Sequence, residues 1–142
     1  MHWTDELHAA ALAIADFVNR SDVDARLLAD SGVKLDRALF PLLSRISMAG
    51  EIGTMALANL IGRDHSTVSR QTAKLEELGL VVRVPSAEDA RVRRLAPSDN
   101  GKTLIRKVRN VRRKMLERHF RGWTDQDREV LVQLLKRMVI GK

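Results

Sequence analysis

Cysteine is absent from the 142 residues of this chain, which excludes disulfides, zinc–thiolate sites and any sensor that works by thiol oxidation. Long apolar runs are also missing, and none approaches the ~18 residues needed to cross a bilayer. The N-terminus begins Met-His-Trp-Thr-Asp-Glu and lacks the basic and then apolar layout of a secretory signal peptide. We therefore expect a cytoplasmic protein that has no membrane partner.

Catalytic and metal-binding signatures are missing as well. The four histidines are scattered, without an i, i+4 pair that could hold a metal, at His2, His8, His65 and His119. Gly50 and Gly53 do not form a glycine-rich loop that cradles phosphate. Ser66 follows His65 directly, and adjacent side chains on a helix do not face each other as a nucleophile and its base would. We predict no enzyme activity, no cofactor and no metal site, and we interpret His119 as a surface or interface histidine.

What the chain does contain is a strongly uneven distribution of charge. Residues 1–62 carry five Lys or Arg against eight Asp or Glu, whereas residues 83–121 carry thirteen against four. The length of 142 residues suits one domain, or one small domain wrapped in helices, and the composition of 44% apolar and 30% charged residues is that of a soluble globular protein. A basic middle suggests a polyanionic partner approached from one side, and the alternative is a solvated basic helix surface. Charge alone does not decide between the two.

Helical periodicity dominates the chain outside its centre. It predicts three helices in the first third of the chain, over residues 4–20, 24–30 and about 36–49. Two more are predicted after the centre: one is capped by Ser98 and ends at Gly122, and the last begins with a capping box of Thr124 and Asp127 and runs to the C-terminus. Asp36 is the expected cap of the third helix, and Pro41, one turn later, is expected to strain or bend its start. Glu51-Ile52-Gly53 is expected to add one rung to a small sheet.

The centre of the chain reads as a helix-turn-helix. Thr54 is expected to cap a short helix that ends at Ile61, and Asp64 to cap the next helix with a carboxylate that accepts first-turn amides. At about 100° per residue, one side of this second helix is the predicted buried stripe of Val68, Thr72, Leu75 and Leu78. The opposite side consists of Ser66, Arg70, Ala73 and Glu77, flanked by Ser69 and Lys74.

This outward side is suited to a DNA major groove, because its small residues would let the helix approach base edges. Arg70 has the reach to bond a guanine with two hydrogen bonds, a contact worth ~1–3 kcal/mol of discrimination. The first-turn amides at His65 and Ser66 favour a phosphate nearby. The alternative is an ordinary amphipathic surface helix.

A short basic hairpin follows the helix-turn-helix. Residues 80–84 and 92–96 are β-prone, and residues 85–89 form a turn between them. Arg91 and Arg93 are expected on one face of the second strand or at the loop tip, from where arginine can reach the adjacent DNA backbone or minor groove. The alternative is an exposed hairpin that only increases solubility. Next to the helix-turn-helix, a basic hairpin makes DNA binding the stronger of the two interpretations.

These residues resemble the MarR family of winged-helix transcription regulators. The resemblance covers nearly the whole chain and lies in Ser-Thr-Val-Ser-Arg (66–70), Leu75-Glu76, Leu78-Gly79-Leu80-Val81, and Asp89-Ala90-Arg91, which is similar to the Asp-x-Arg wing motif. It implies a homodimer on palindromic DNA, with Ser66, Thr67, Ser69 and Arg70 in the major groove, Arg91 in the minor groove and Asp89 orienting the wing arginine. The chain departs from the family pattern in two places: Ala90 stands where arginine is frequent, and Pro97-Ser98 stands where Leu-Thr is usual.

The terminal helices support a dimer independently of the resemblance. Their apolar side chains exceed what one small lobe can cover: Trp3, Leu7, Ile14, Phe17, Leu131, Leu134, Leu135 and Met138. The alternative is that these helices cap the core of a monomer. A twofold dimer would place two recognition helices roughly 34 Å apart, one turn of DNA.

The sequence thus predicts a mainly α fold with a small β-wing. Residues 35–100 are the predicted winged helix-turn-helix DNA-binding domain, and residues 1–34 and 101–142 the predicted helical dimerisation region. The predicted function is a sequence-specific regulator, more specifically a repressor, that binds double-stranded DNA as a homodimer. The predicted DNA-binding residues are His65, Ser66, Thr67, Ser69, Arg70, Lys74, Arg91 and Arg93. The alternatives are a weakly specific architectural DNA-binding protein and a protein–protein adaptor.

Because many relatives of the MarR family are released from DNA by small aromatic or phenolic ligands, the resemblance also makes a small-molecule effector a candidate partner. The sequence does not identify ligand-binding residues for it.

Overall fold

The computed structural model describes residues 1–19, 26 and 28–141. Its elements follow in the order α1 (Trp3–Asn19), α2 (Phe40–Ala49), α3 (Thr54–Ile61), α4 (His65–Glu77), β1 (Val81–Pro85), β2 (Arg93–Pro97), α5 (Asp99–His119) and α6 (Asp125–Ile140). The mainly helical architecture with a two-stranded wing is confirmed. Within the predicted helix over 24–30, residues 26 and 28–30 are helical, and the rest of it lies outside the described residues.

The main core lies where α2, α3 and α4 meet the small sheet. Leu42, Leu43 and Ile46 of α2 are completely buried there, because their spacing places all three on one side of the helix. Leu57 of α3 and Leu95 of β2 are buried in the same cluster. This core fixes the positions of the helix-turn-helix and of the wing strands relative to each other.

The start of α2 differs from the sequence-based expectation. Asp36 does not cap the helix: its carboxylate accepts from the amide of Ala38 at 2.8 Å, and the helix begins at Phe40 with Leu39 in the N-cap position. Pro41 therefore lies in the first turn, where a helix needs no amide donor, and the expectation of strain was wrong. Thr54 is likewise the first residue of α3 and not its cap, a position that Gly53 occupies.

The two wing strands pair antiparallel, from Val81 opposite Pro97 to Pro85 opposite Arg93. Ile52 adds the expected single rung: its amide donates to Leu95 O at 2.9 Å, and the Leu95 amide donates to Ile52 O at 2.8 Å. The sheet is thereby anchored to the segment that precedes α3.

The N-terminal end of α5 is joined closely to the lobe. Ser98 caps the helix by accepting from the Gly101 amide at 3.0 Å, and its hydroxyl donates to Gly79 O at 2.6 Å. Gly101 is buried, and a Cβ there would overlap the carbonyl oxygen of Leu80. Farther along α5, Val108 joins a second buried cluster with Leu28 and Phe40.

The terminal helices contribute little to either core. Neither α1 nor α6 contains a buried residue among those the structure describes, although α6 begins with the expected capping box of Thr124 and Asp127. Phe17 of α1 stacks on His119 at the end of α5, with ring centroids 5.3 Å apart. No helix in the described part of the chain is long and apolar enough to cross a membrane.

Candidate nucleic-acid interface

Helix α4 presents one buried and one exposed side, as its sequence predicts. Val68, Thr72 and Leu75 are completely buried, and the Thr72 hydroxyl is satisfied by donating to Ser69 O at 3.0 Å. Leu78 departs from the predicted stripe because it is 48% exposed. The helix ends at Glu77, so Leu78 sits at the C-cap, and Gly79 with a φ of 75° then turns the chain away.

The predicted DNA-binding residues of α4 lie on its accessible side. His65, Ser66, Ser69, Arg70 and Lys74 are exposed, and Thr67 is half-buried. The Arg70 guanidinium donates to the Thr67 hydroxyl at 3.3 Å, so its side chain lies back along the first turn. The arrangement is a row of small hydroxyls with one arginine that can extend from it.

Asp64 occupies the N-cap position of α4, as expected, but the side-chain hydrogen bond that the structure contains is a different one. Its carboxylate accepts from the hydroxyl of Ser66 and makes no capping hydrogen bond of good geometry with a first-turn amide. The Ser66 hydroxyl, followed by the backbone amide of Thr67, holds the pKa of Asp64 below its usual value. Because the Ser66 hydroxyl donates its proton to Asp64, its oxygen can still accept a hydrogen bond from another group. The neighbouring Asp64 carboxylate is held in its ionised form.

Arg63 braces the turn of the helix-turn-helix. Its guanidinium donates to Ala38 O at 2.7 Å and to the side-chain oxygen of Gln71 at 2.9 Å. One side chain thus connects the segment before α2, the turn before α4 and the middle of α4. These two hydrogen bonds hold the middle of α4, around Gln71, in a defined position relative to the segment that contains Ala38.

A second contact connects α4 to the wing. Arg83 of β1 donates from Nε to the Glu76 carboxylate at 2.8 Å, and both side chains are only partly exposed. An ion pair at such a partly exposed site contributes on the order of 1 kcal/mol or less, so its role is mainly to orient the two elements.

The wing turn brings Asp89 and Arg91 together. The Asp89 carboxylate accepts from the Arg91 amide at 3.0 Å and from the guanidinium Nε and Nη2 at 3.2 and 3.3 Å. The Arg91 guanidinium and then its amide lower the pKa of Asp89. Arg91 lies in the turn with its side chain 91% exposed, whereas Arg93 opens β2 and is also exposed.

Three of these positions were not identified from the sequence: Arg63, Gln71 and Arg83. Their contacts join residues on different elements, and Arg63 and Ala38 are 25 positions apart, so no local spacing could have signalled them. Within the described residues, no group of three or more His, Asp or Glu side chains is arranged to hold a metal.

Comparisons with known proteins agree with this geometry. A model described as the MarR family matches residues 35–92. The HTH-type transcriptional regulator YxaD of Bacillus subtilis is 32% identical over 104 residues, covering 73% of each chain. The HTH-type transcriptional repressor IacR of Pseudomonas putida is 36% identical over 93 residues, which cover 66% of this chain and 50% of that protein.

Solved structures match over nearly the full length. A MarR family protein from Bacillus stearothermophilus has a TM-score of 0.77 at 19% identity, covering 99% of this chain and 97% of that chain. A MarR family transcriptional regulator from Silicibacter pomeroyi has a TM-score of 0.73 at 22% identity, covering 92% and 86%. At these identities the likeness shows the fold, a winged helix-turn-helix flanked by helices.

Proposed function

The chain belongs to the MarR family of transcriptional regulators, and on that premise we propose that it represses transcription as a homodimer bound to a palindromic operator. Members of this family are regulators and not enzymes, which confirms the prediction that the chain is not an enzyme. We further propose that it works in the cytoplasm, with residues 35–100 binding DNA and residues 1–34 and 101–142 pairing the two copies.

The observation that carries the proposal is the accessible side of α4 beside the wing. Ser66, Ser69 and Ala73 are small and exposed there, and Arg70 is the side chain with both the length and the paired donors to read a guanine. We propose His65, Ser66, Thr67, Ser69, Arg70 and Lys74 as major-groove contacts. In this arrangement α4 supplies base readout, and its first-turn amides hold a backbone phosphate.

The wing supplies a second, less sequence-dependent contact in this proposal. Arg91 extends into solvent while Asp89 holds one side of its guanidinium, so the arginine is oriented before DNA arrives. A pre-oriented side chain loses less conformational entropy on binding. We propose Arg91 as the minor-groove contact, Arg93 as a backbone contact and Asp89 as the residue that orients Arg91.

Exposed apolar side chains on the terminal helices support the homodimer. Trp3 is 66% exposed and Ile140 is 67% exposed, and the other large apolar residues exposed on α1 and α6 include Leu7, Leu12, Ile14, Val18, Val130, Val132, Leu134, Met138 and Val139. So many exposed apolar side chains on two helices favour burial against a second copy. A sedimentation equilibrium measurement tests this step, and a monomer at micromolar concentration would refute it.

The central experiment is selection of bound duplexes from a random pool, followed by affinity measurements on the enriched site. Arg70→Ala is expected to relax base preference, and Arg91→Ala to lower affinity and the salt slope for all duplexes. Arg45→Ala, which removes the same charge from the exposed side of α2, is the matched control. If the wild type enriches no site and binds all duplexes equally at physiological salt, the proposal fails.

The net positive charge of residues 83–121, thirteen Lys or Arg against four Asp or Glu, favours a second candidate function, a weakly specific architectural DNA-binding protein. Footprinting separates the two, because a regulator protects a discrete palindromic site whereas an architectural protein coats DNA uniformly. We also propose that a small-molecule ligand releases the protein from its operator, and repeating the selection with phenolic and aromatic acids tests this step.

A further inference from the structure

An open hollow of about 560 Å³ lies between residues 34–39 and the accessible side of α4. The polar lining consists of Lys34 and Asp36 on one wall and Arg70, Gln71 and Lys74 on the other, and the rest of the lining is apolar: Leu35, Ala38, Leu39 and Leu78. Two of these residues, Arg70 and Lys74, already belong to the predicted DNA-reading side of α4. The hollow is therefore continuous with the proposed interface.

The charges around the hollow favour an anion. Three cations line it against one carboxylate, and one oxygen of that carboxylate, on Asp36, already accepts from the Ala38 amide. Lys34 is exposed and has no hydrogen-bond or ion-pair partner among the described residues. Lys74 lies 3.6 Å from Glu77, a pair that is weak at this exposure and leaves two ammonium protons unused.

Gln71 adds a neutral donor whose direction is fixed by Arg63. A guanidinium can only donate, so the end of the Gln71 amide that faces Arg63 at 2.9 Å must be its oxygen. The NH₂ end of Gln71 then remains for another acceptor, and none is present among the described residues. Arg63 therefore makes Gln71 a hydrogen-bond donor toward whatever enters the hollow.

We propose that this hollow binds a backbone phosphate of the DNA strand that borders the major groove occupied by α4. Lys34 and the NH₂ group of Gln71 bond the phosphate oxygens, with Lys74 beside them. A major groove about 12 Å wide leaves a phosphate row on each side of an inserted helix, within reach of side chains that flank it. This inference rests on the proposed function, and it adds Lys34 and Gln71 to the interface as residues that set register and not base preference.

The test measures affinity for the selected duplex over a range of salt concentrations, with Lys34→Ala and Gln71→Glu. Glu at position 71 can still accept from Arg63, so the brace is kept while a negative charge replaces the donor. Both variants are expected to melt like the wild type and to bind severalfold more weakly. Lys34→Ala should lower the salt slope by about 1.8, since each of two copies in a dimer loses one phosphate contact worth ~0.9.

Lys107→Ala removes an equal charge from the exposed side of α5 and is the matched control. If the wild type prefers its selected site and both variants behave like this control, the phosphate site is refuted while the proposed function stands. If Lys34→Ala changes base preference and leaves the salt slope intact, the hollow reads bases and the inference is also wrong. If the wild type enriches no duplex, the proposed function and this inference fall together.

Discussion

Replacing Gly101 by alanine should destabilise the protein, because α5 and the start of the wing approach too closely there for any side chain. The added Cβ would overlap the Leu80 carbonyl oxygen and lie 3.1 Å from its carbonyl carbon. Both atoms are backbone, so no rotamer change can relieve the overlap. Relief requires α5 to move away from Leu80 by on the order of 1 Å, the scale on which van der Waals contact changes from repulsive to favourable.

The size of the effect follows from the contacts that depend on this approach. Moving α5 by that amount would weaken three hydrogen bonds: Ser98 N to Leu80 O at 3.0 Å, the Ser98 hydroxyl to Gly79 O at 2.6 Å, and Gly101 N to the Ser98 hydroxyl at 3.0 Å. At about 1 kcal/mol each these amount to roughly 3 kcal/mol. Better helix propensity of alanine offsets about 1 kcal/mol, so we expect a net loss of about 2 kcal/mol.

The assay is urea denaturation at a fixed protein concentration, since the stability of a dimer depends on concentration. Gly53→Ala is the matched control, because that glycine has an ordinary φ of −73° and open space around its Cβ position. Its cost should stay below about 1 kcal/mol, the modest preference for glycine over alanine at an N-cap. If Gly101→Ala is as stable as Gly53→Ala, the close approach does not constrain α5 and the reasoning is wrong.

Three further predictions concern single contacts. Arg63→Met leaves Ala38 O and the Gln71 side chain without their donor, so it should lower the free energy of unfolding by about 1–2 kcal/mol and with it the melting temperature. An unchanged melting temperature would show that these two hydrogen bonds do not stabilise the fold. Thr124→Ala removes the cap of α6 and should cost about 1 kcal/mol by urea denaturation, and equal stability would show that the capping box contributes nothing. The pKa of Asp89 is lower in the folded than in the unfolded protein, so its contribution to stability is present above about pH 4 and is lost as the pH falls through the folded-state value. Asp89→Asn should therefore flatten the acid limb of the stability–pH profile, and an unchanged limb would contradict the assigned ion pair.

Much of the candidate interface could be predicted from the sequence because its contacts are local. The burial of Val68, Thr72 and Leu75 follows from the 3.6-residue period of one helix. The Thr124–Asp127 box spans three positions of one turn, and the Asp89–Arg91 contact, which the family resemblance implied, spans two. Leu78 was predicted to be buried but is exposed, because α4 ends one residue before it. Helical periodicity does not predict the last residue of a helix with single-residue accuracy.

The sequence by itself therefore determined which elements form, which side of α4 is buried and that the hairpin carries exposed arginines, whereas the orientation of Arg91 by Asp89 was implied by the family resemblance. Only the tertiary structure decided that Arg63 reaches both Ala38 and Gln71, that Gly101 lies against Leu80, and that Lys34 faces α4 across a hollow. The physical reason is distance along the chain. A contact within one turn or helix is set by the geometry of a few residues, whereas these contacts exist only after the core of α2, α3 and the wing has placed separate elements side by side.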